Sequence, residues 1–164
     1  YHMAKEQSSY KRGYEINPFD NKEYPVIGDF SEKEEKYSII DNLYDLQDGF
    51  YAELLMWNDQ HSIAGQSDKI FIETIDDKRY VDVDDFKSNS KISTYGFKGQ
   101  RMKAPLSHMQ DCNHSHYNLQ ISAYAWLMEQ FGFIPRNLSF HHYNKMYKLD
   151  YKKEEVENMI LFKD

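Results

Sequence analysis

A chain of 164 residues with 40% hydrophobic and 16% aromatic side chains can bury a substantial core, so its composition excludes a disordered polymer and is most simply one domain. No apolar run approaches the ~20 residues that cross a bilayer and no signal-peptide pattern is present, so no membrane partner and an intracellular setting are expected. Cys112, the single cysteine, excludes an internal disulfide framework, and the net charge of −7 excludes a uniformly basic chain.

In chain order, residues 1–12 read as a polar helix ending near Gly13, and Asn17-Pro18-Phe19 with Tyr24-Pro25 reads as an irregular connection. Residues 32–46 have helical spacing, with Tyr37, Ile40, Leu43, Tyr44 and Leu46 forming the apolar stripe. Residues 50–57 predict a strand, Asp59-Gln60 a turn, and residues 62–75 a second strand whose hairpin partner runs to about Lys87. The spacing predicts a helix over 115–131, with Leu119, Ala123, Trp126, Leu127 and Phe131 buried and Gly132 as its cap. Strands over 138–143 and 146–151 and a short helix over 153–161 complete an α+β pattern, a central mixed sheet flanked by helices.

The hairpin carries the chemistry. A two-residue turn at Asp76-Asp77 sets Asp68 opposite Asp85, whereas an Asp77-Lys78 turn sets Asp68 opposite Lys87; either register gathers Asp68, Asp85 and Lys87. The same face continues inward as Ile70, Ile72, Val81 and Val83, so the charges stand at the rim of an apolar surface. Adjacent carboxylates repel unless a proton or cation lies between them, and a hard divalent ion suits such a pair, with the backbone carbonyl of Phe86 as a further ligand. Asp76, Asp77, Asp82 and Asp84 read as a solvated face. A lone Asp-x-Lys is weak, and the upstream Gly-x-x-Asp in register gives it weight.

Residues 86–110 contain no acidic side chain, while Lys87, Lys91, Lys98, Arg101 and Lys103 are basic. With Tyr95 and Phe97 interleaved, this reads as a flexible loop contacting phosphates and bases. On the following helix Tyr117, Gln120 and Tyr124 fall three and four residues apart, a polar stripe on one face. Tyr117 joins the cations as a candidate DNA contact.

Gly65-Gln66-Ser67-Asp68, Asp85-Phe86-Lys87-Ser88-Asn89 and Gln120-Ile121-Ser122-Ala123-Tyr124 resemble, in order and spacing, the G-x-x-D, (D/E)-x-K-[TS] and Q-x-x-x-Y motifs of RecB-like nucleases of the PD-(D/E)XK superfamily. Residues 85–133, with Pro105-Leu106-Ser107-His108 and Asp111-Cys112-Asn113, look most like bacteriophage-encoded members, and the resemblance covers about residues 51–133. It implies an α/β/α restriction-endonuclease-like fold and a DNase, with exonuclease action in phage DNA metabolism inside a bacterium. It also implies Mg²⁺ or Mn²⁺ held by Asp68 and Asp85, a catalytic Lys87, and Gln120 and Tyr124 placing DNA or supporting the site. Many members carry a histidine for a second metal on an N-terminal helix. His2, one helical turn from Glu6, is the candidate, although His2-Met3 equally reads as a cloning remnant. Glu53 matches a glutamate often found on the preceding strand, where an ordinary outward residue is the alternative. Some members hold an iron–sulfur cluster with four cysteines, which a chain with one cysteine does not supply.

His108, Cys112, His114 and His116 are competent zinc ligands, but their spacing matches no compact zinc module. His141-His142 on opposite strand faces reads as structural, and Cys112 as the residue that begins the helix. Two other functions stay open from these residues: a non-catalytic DNA-binding or assembly module with a nuclease fold, and a nuclease acting on RNA or branched DNA.

Overall fold

In the computed structural model, residues 13–30 and 42–162 are described. They form one domain around a seven-stranded mixed sheet, with strand order following the chain: β1 (Tyr14–Ile16), β2 (Glu23–Asp29), β3 (Gly49–Asn58), β4 (Ile63–Ile75), β5 (Lys78–Lys87), β6 (Ile134–His142) and β7 (Lys145–Leu149). β3, β4 and β5 run as an antiparallel meander. β2 lies parallel to β3, and β6 parallel to β5. The second parallel connection carries α1 (Asn113–Glu129), and α2 (Lys153–Leu161) follows β7. The expected elements from residue 50 onward are present, β6 beginning four residues earlier than its hydrophobic run suggested.

Two strands were not expected. The connection around Asn17 and Pro25 is the hairpin β1–β2, with Tyr14 paired to Pro25 and Ile16 to Glu23. The expected N-terminal helix and most of the helix over 32–46 lie outside the described residues. The last part of that segment is a 3-10 turn, Leu43–Asp45, whose Tyr44 N–H donates to Asn42 Oδ1 at 3.0 Å. Leu43 and Leu46 are buried, whereas Tyr44 is exposed with its ring edge against Phe131.

One face of the sheet packs under α1. Ile70, Ile72, Val81 and Val83 are fully buried there, as alternation predicts, together with Leu54, Ile121, Leu127, Met128 and Phe140. Each such side chain contributes roughly 1.5–3 kcal/mol by leaving water. α1 is buried on nearly every side, because α2 covers its back through Val156 and the Trp126 to Glu157 hydrogen bond. Its end is closed by Gly132 at φ 86°: Gly132 N–H donates to the Glu129 carbonyl and Phe133 N–H to that of Met128. This Schellman arrangement satisfies carbonyls that the helix end would otherwise orphan.

The opposite face sets buried polar groups beside Tyr24, Phe50 and Phe71 and is also covered, which corrects the reading of Asp82 and Asp84 as solvated. Both are fully buried. Asp82 accepts from Asn17 Nδ2 at 2.8 Å, Arg136 Nη2 at 2.6 Å and Asn137 Nδ2 at 2.8 Å. Asp84 accepts from Ser139 Oγ at 2.5 Å and pairs with His141 Nδ1 at 3.0 Å. The physical reason is the β1–β2 hairpin, which curls across this face. Glu15 on β1 meets Lys69 on β4 at 3.2 Å, and Tyr24 on β2 sets its ring edge against Phe71. Asp76 and Asp77 are exposed as expected, at φ 50° and 61° in the turn.

Candidate functional site

The register of the β4–β5 hairpin decides the site. Ile75 pairs with Lys78 and Lys69 with Asp84, so the turn is Asp76-Asp77 and the next position sets Asp68 across from Asp85. Two side-chain bonds cross between the strands there. The Asp68 N–H donates to Asp85 Oδ1 at 3.2 Å, and the Phe86 N–H donates to Asp68 Oδ2 at 2.7 Å. Each carboxylate is thus fixed by the backbone of the other's strand.

Asp85 is 4% exposed. Burial first, and the neighbouring Asp68 second, push its carboxyl up to about 7, against the pull of Lys87. Lys87 Nζ stands 2.5 Å from Asp85 Oδ2 and donates to Gln120 Oε1 at 2.8 Å. Gln120 Nε2 in turn donates to the Tyr124 hydroxyl at 2.6 Å. Burial, then the charge of Asp85, push the Tyr124 phenol up to about 12, so it stays protonated. Asp85, Lys87, Gln120 and Tyr124 form one continuous polar chain from strand to helix.

The remaining expected residues divide clearly. Tyr117 packs its ring 4.7 Å from Lys87 Nζ, and its hydroxyl donates to Asn89 Oδ1. Glu53 lies on β3 between the pairs Ala52↔Lys69 and Leu54↔Ser67, which sets it across from Asp68, and its charge acts on Tyr124. Its φ of 54° is left-handed, a conformation that costs a non-glycine residue of order 1–3 kcal/mol and clusters at functional sites. Phe86 contributes its N–H to Asp68 and turns its ring to the other face, beside His141 and under Lys69 Nζ. His2 lies outside the described residues.

Lys91, Lys98, Arg101 and Lys103 are all exposed, on the loop between β5 and α1. Asn113 Oδ1 accepts from the Ser93 N–H and its Nδ2 donates to the Lys91 carbonyl, both at 2.7 Å. The Gly96 N–H donates to Gln110 Oε1, and Arg101 forms a bridge with Gln110. The histidines nearby go to separate partners: His108 to Glu155, His116 to Asp111, and His114 against Phe140 and Tyr147. Cys112 precedes α1 in extended conformation, as expected.

Among the described residues no three His, Cys, Asp or Glu side chains gather as a ready-made metal cluster. Asp68 and Asp85 nevertheless fit a hard divalent ion, because a buried carboxylate beside a half-buried one that repels it is a donor set that Mg²⁺ uses while retaining waters.

Sequence reasoning missed Asn89, which ties Tyr117 to the loop and accepts from His142 Nε2 through its carbonyl at 2.6 Å. It also missed the buried polar layer behind the site. A signal for that layer existed: Phe71 alternates out of phase with Ile70 and Ile72, so both faces of β4 carry apolar side chains. No helix among the described residues is long and apolar enough to cross a membrane. In comparisons with protein-family models, curated proteins and solved structures, nothing matches this chain.

Proposed function

We propose that this chain is a RecB-like nuclease of the PD-(D/E)XK superfamily, with a restriction-endonuclease-like fold, hydrolysing DNA phosphodiester bonds with Mg²⁺ or Mn²⁺. The observation that carries the reading is the convergence of three separated motifs on one polar chain, with Asp85 lying 2.5 Å from Lys87 and Lys87 lying 2.8 Å from Gln120. The bacteriophage-like segment 85–133 favours a phage exonuclease working on DNA in a bacterial cytoplasm.

Asp68 and Asp85 would hold the ion, with the Phe86 carbonyl as a further ligand and Glu53 opposite Asp68. A bound divalent ion lowers the pKa of its water and polarises the phosphoryl group. Hydrolysis then joins the water oxygen to phosphorus as the bond to the leaving sugar oxygen breaks, with a proton passing from the water to that oxygen. Lys87 orients the water and offsets charge developing on the phosphoryl oxygens. Gln120 holds the ammonium from the helix side, so Lys87 keeps a partner when Asp85 engages an ion. Tyr124, protonated and hydrogen-bonded, keeps Gln120 in that orientation.

End-labelled linear single- and double-stranded DNA, beside closed circular DNA, tests this directly with each ion. Cleavage that requires the ion and disappears in both Asp85→Ala and Lys87→Ala is expected. Full activity in a folded Asp85→Ala protein would sink the assignment.

A further inference from the structure

The most exposed large apolar side chains among the described residues are Tyr95 and Phe97, at 74% and 77%. Neither is needed to fold the loop that bears them. That loop is held by backbone bonds and by the side chains of Asn113 and Gln110. Gly96 between them is buried, and a Cβ on it would meet the Gln100 carbonyl oxygen at 2.0 Å. With Gly96 pressed inward, the rings on either side are left in water. Two exposed aromatics leave apolar area in water that a bound partner would cover.

Charge identifies the partner. Residues 86–110 hold no acid, Lys98 Nζ sits 5.3 Å from the Phe97 ring, and Lys91, Arg101 and Lys103 are exposed on the same segment. Cations interleaved with aromatic faces fit a polyanion that also offers flat π surfaces. A duplex hides those surfaces in its stack; an unpaired strand presents them.

We infer that Tyr95 and Phe97 form a stacking platform for unpaired bases of single-stranded DNA, with Lys98, Arg101 and Lys103 on its phosphates. The inference rests on the proposed nuclease reading for its choice of DNA. Asn113, which anchors the loop, begins α1, and Gln120 lies seven residues on, about 10 Å along the helix axis. A strand held on the platform therefore lies within a few nucleotides of Lys87.

Binding is measured by fluorescence anisotropy in EDTA, so that it is read apart from cleavage, using labelled single-stranded DNA, the same sequence as a duplex, and the same sequence as RNA. Single-stranded DNA is expected to bind tightest. The double variant Tyr95→Ala/Phe97→Ala loses about tenfold or more of that affinity, while Tyr95→Trp/Phe97→Trp retains it. Lys98→Ala/Arg101→Ala lowers the slope of log affinity against log salt by about 1.4. The platform is overturned by wild-type affinity in the double alanine variant, by no single-strand binding in the wild type, or by tighter binding of duplex or RNA. It is also overturned if the alanine pair changes only the oligomeric state, which would mark a protein interface. Absence of metal-dependent cleavage on every substrate sinks the nuclease reading instead, and the anisotropy result still decides the platform.

Discussion

The ring of Tyr124 lies against Gly65 so closely that a Cβ at position 65 would stand 2.6 Å from Tyr124 Cε1 and 2.8 Å from Cδ1. The first motif's glycine is thereby explained by the third motif's tyrosine. Any side chain on β4 at this point would push the ring away and drag Gln120 with it. Gly65→Ala is expected to cost about 1–3 kcal/mol, as overpacking does, and to reduce cleavage more than Tyr124→Phe, which keeps the ring in place. Thermal melts beside cleavage rates check this; a Gly65→Ala protein with wild-type values for both would refute the contact's role.

Gln120 is expected to act through Lys87 rather than on substrate. Its Oε1 accepts from the ammonium and its Nε2 donates to Tyr124, so Gln120→Ala frees Lys87 to settle on Asp85 alone. The expected result is a kcat lowered about 10- to 100-fold with KM little changed, because the lost interaction serves the transition state. Gln120→Glu should rescue part of the rate, since it still accepts from Lys87. A rise in KM at unchanged kcat would instead make Gln120 a substrate-binding residue.

The hairpin and α1 were legible because both carry local instructions. Asp76-Asp77 stops two β-branched runs, alternation assigns Ile70 and Val83 to one face, and Gly132 ends the helix. The β1–β2 hairpin was not, since β1 is three residues long and β2 contains Pro25 and Gly28, residues that argue against a strand. Burial of Asp82 and Asp84 was illegible for the same reason: it depends on Asn17 and Glu15, more than 60 residues upstream, folding back over β4 and β5. The anchoring of the basic loop was hidden because it comes from side-chain bonds of Asn113 and Gln110 to distant backbone.

That hidden layer has its own test. Arg136 bridges Asp82 and Glu73, at 2.6 Å to each, and Asp82 is wholly buried. Arg136→Met leaves a buried carboxylate with only its amide partners and is expected to cost about 3 kcal/mol, whereas Asp82→Asn in the same background recovers part of it. Urea denaturation of the single and double variants measures the coupling. Independent, additive effects would refute it.

Glu53 separates strain from chemistry. At φ 54° its backbone suits glycine, so Glu53→Gly relieves about 1 kcal/mol of strain while deleting the carboxylate opposite Asp68. Stability held or raised together with reduced metal-dependent cleavage is expected. If both fall together, the left-handed turn is held by the carboxylate itself, and Glu53 is a structural residue.

Protonation of Asp85 would couple folding to binding of the proposed ion. Its carboxyl titrates at 3.8 in the unfolded chain and at about 7 in the folded one, so between those values the folded protein keeps a proton that the unfolded chain has released. Stability of the metal-free protein is therefore highest, as far as this group is concerned, below the lower value. It falls as pH rises through the window and levels off above the upper one. Asp68, Lys87 and Tyr124 face the group, Asp68 opposing its ionisation and Lys87 favouring it. A divalent ion needs the pair deprotonated, so the stabilisation it brings grows as pH rises toward neutrality and weakens below it. Melting curves across this range, in EDTA and with Mg²⁺, should diverge with rising pH. In Asp85→Asn the metal-free curve loses its downward slope and the added stabilisation by Mg²⁺ vanishes. An equal upward shift by Mg²⁺ in Asp85→Asn and in the wild type would place the ion elsewhere.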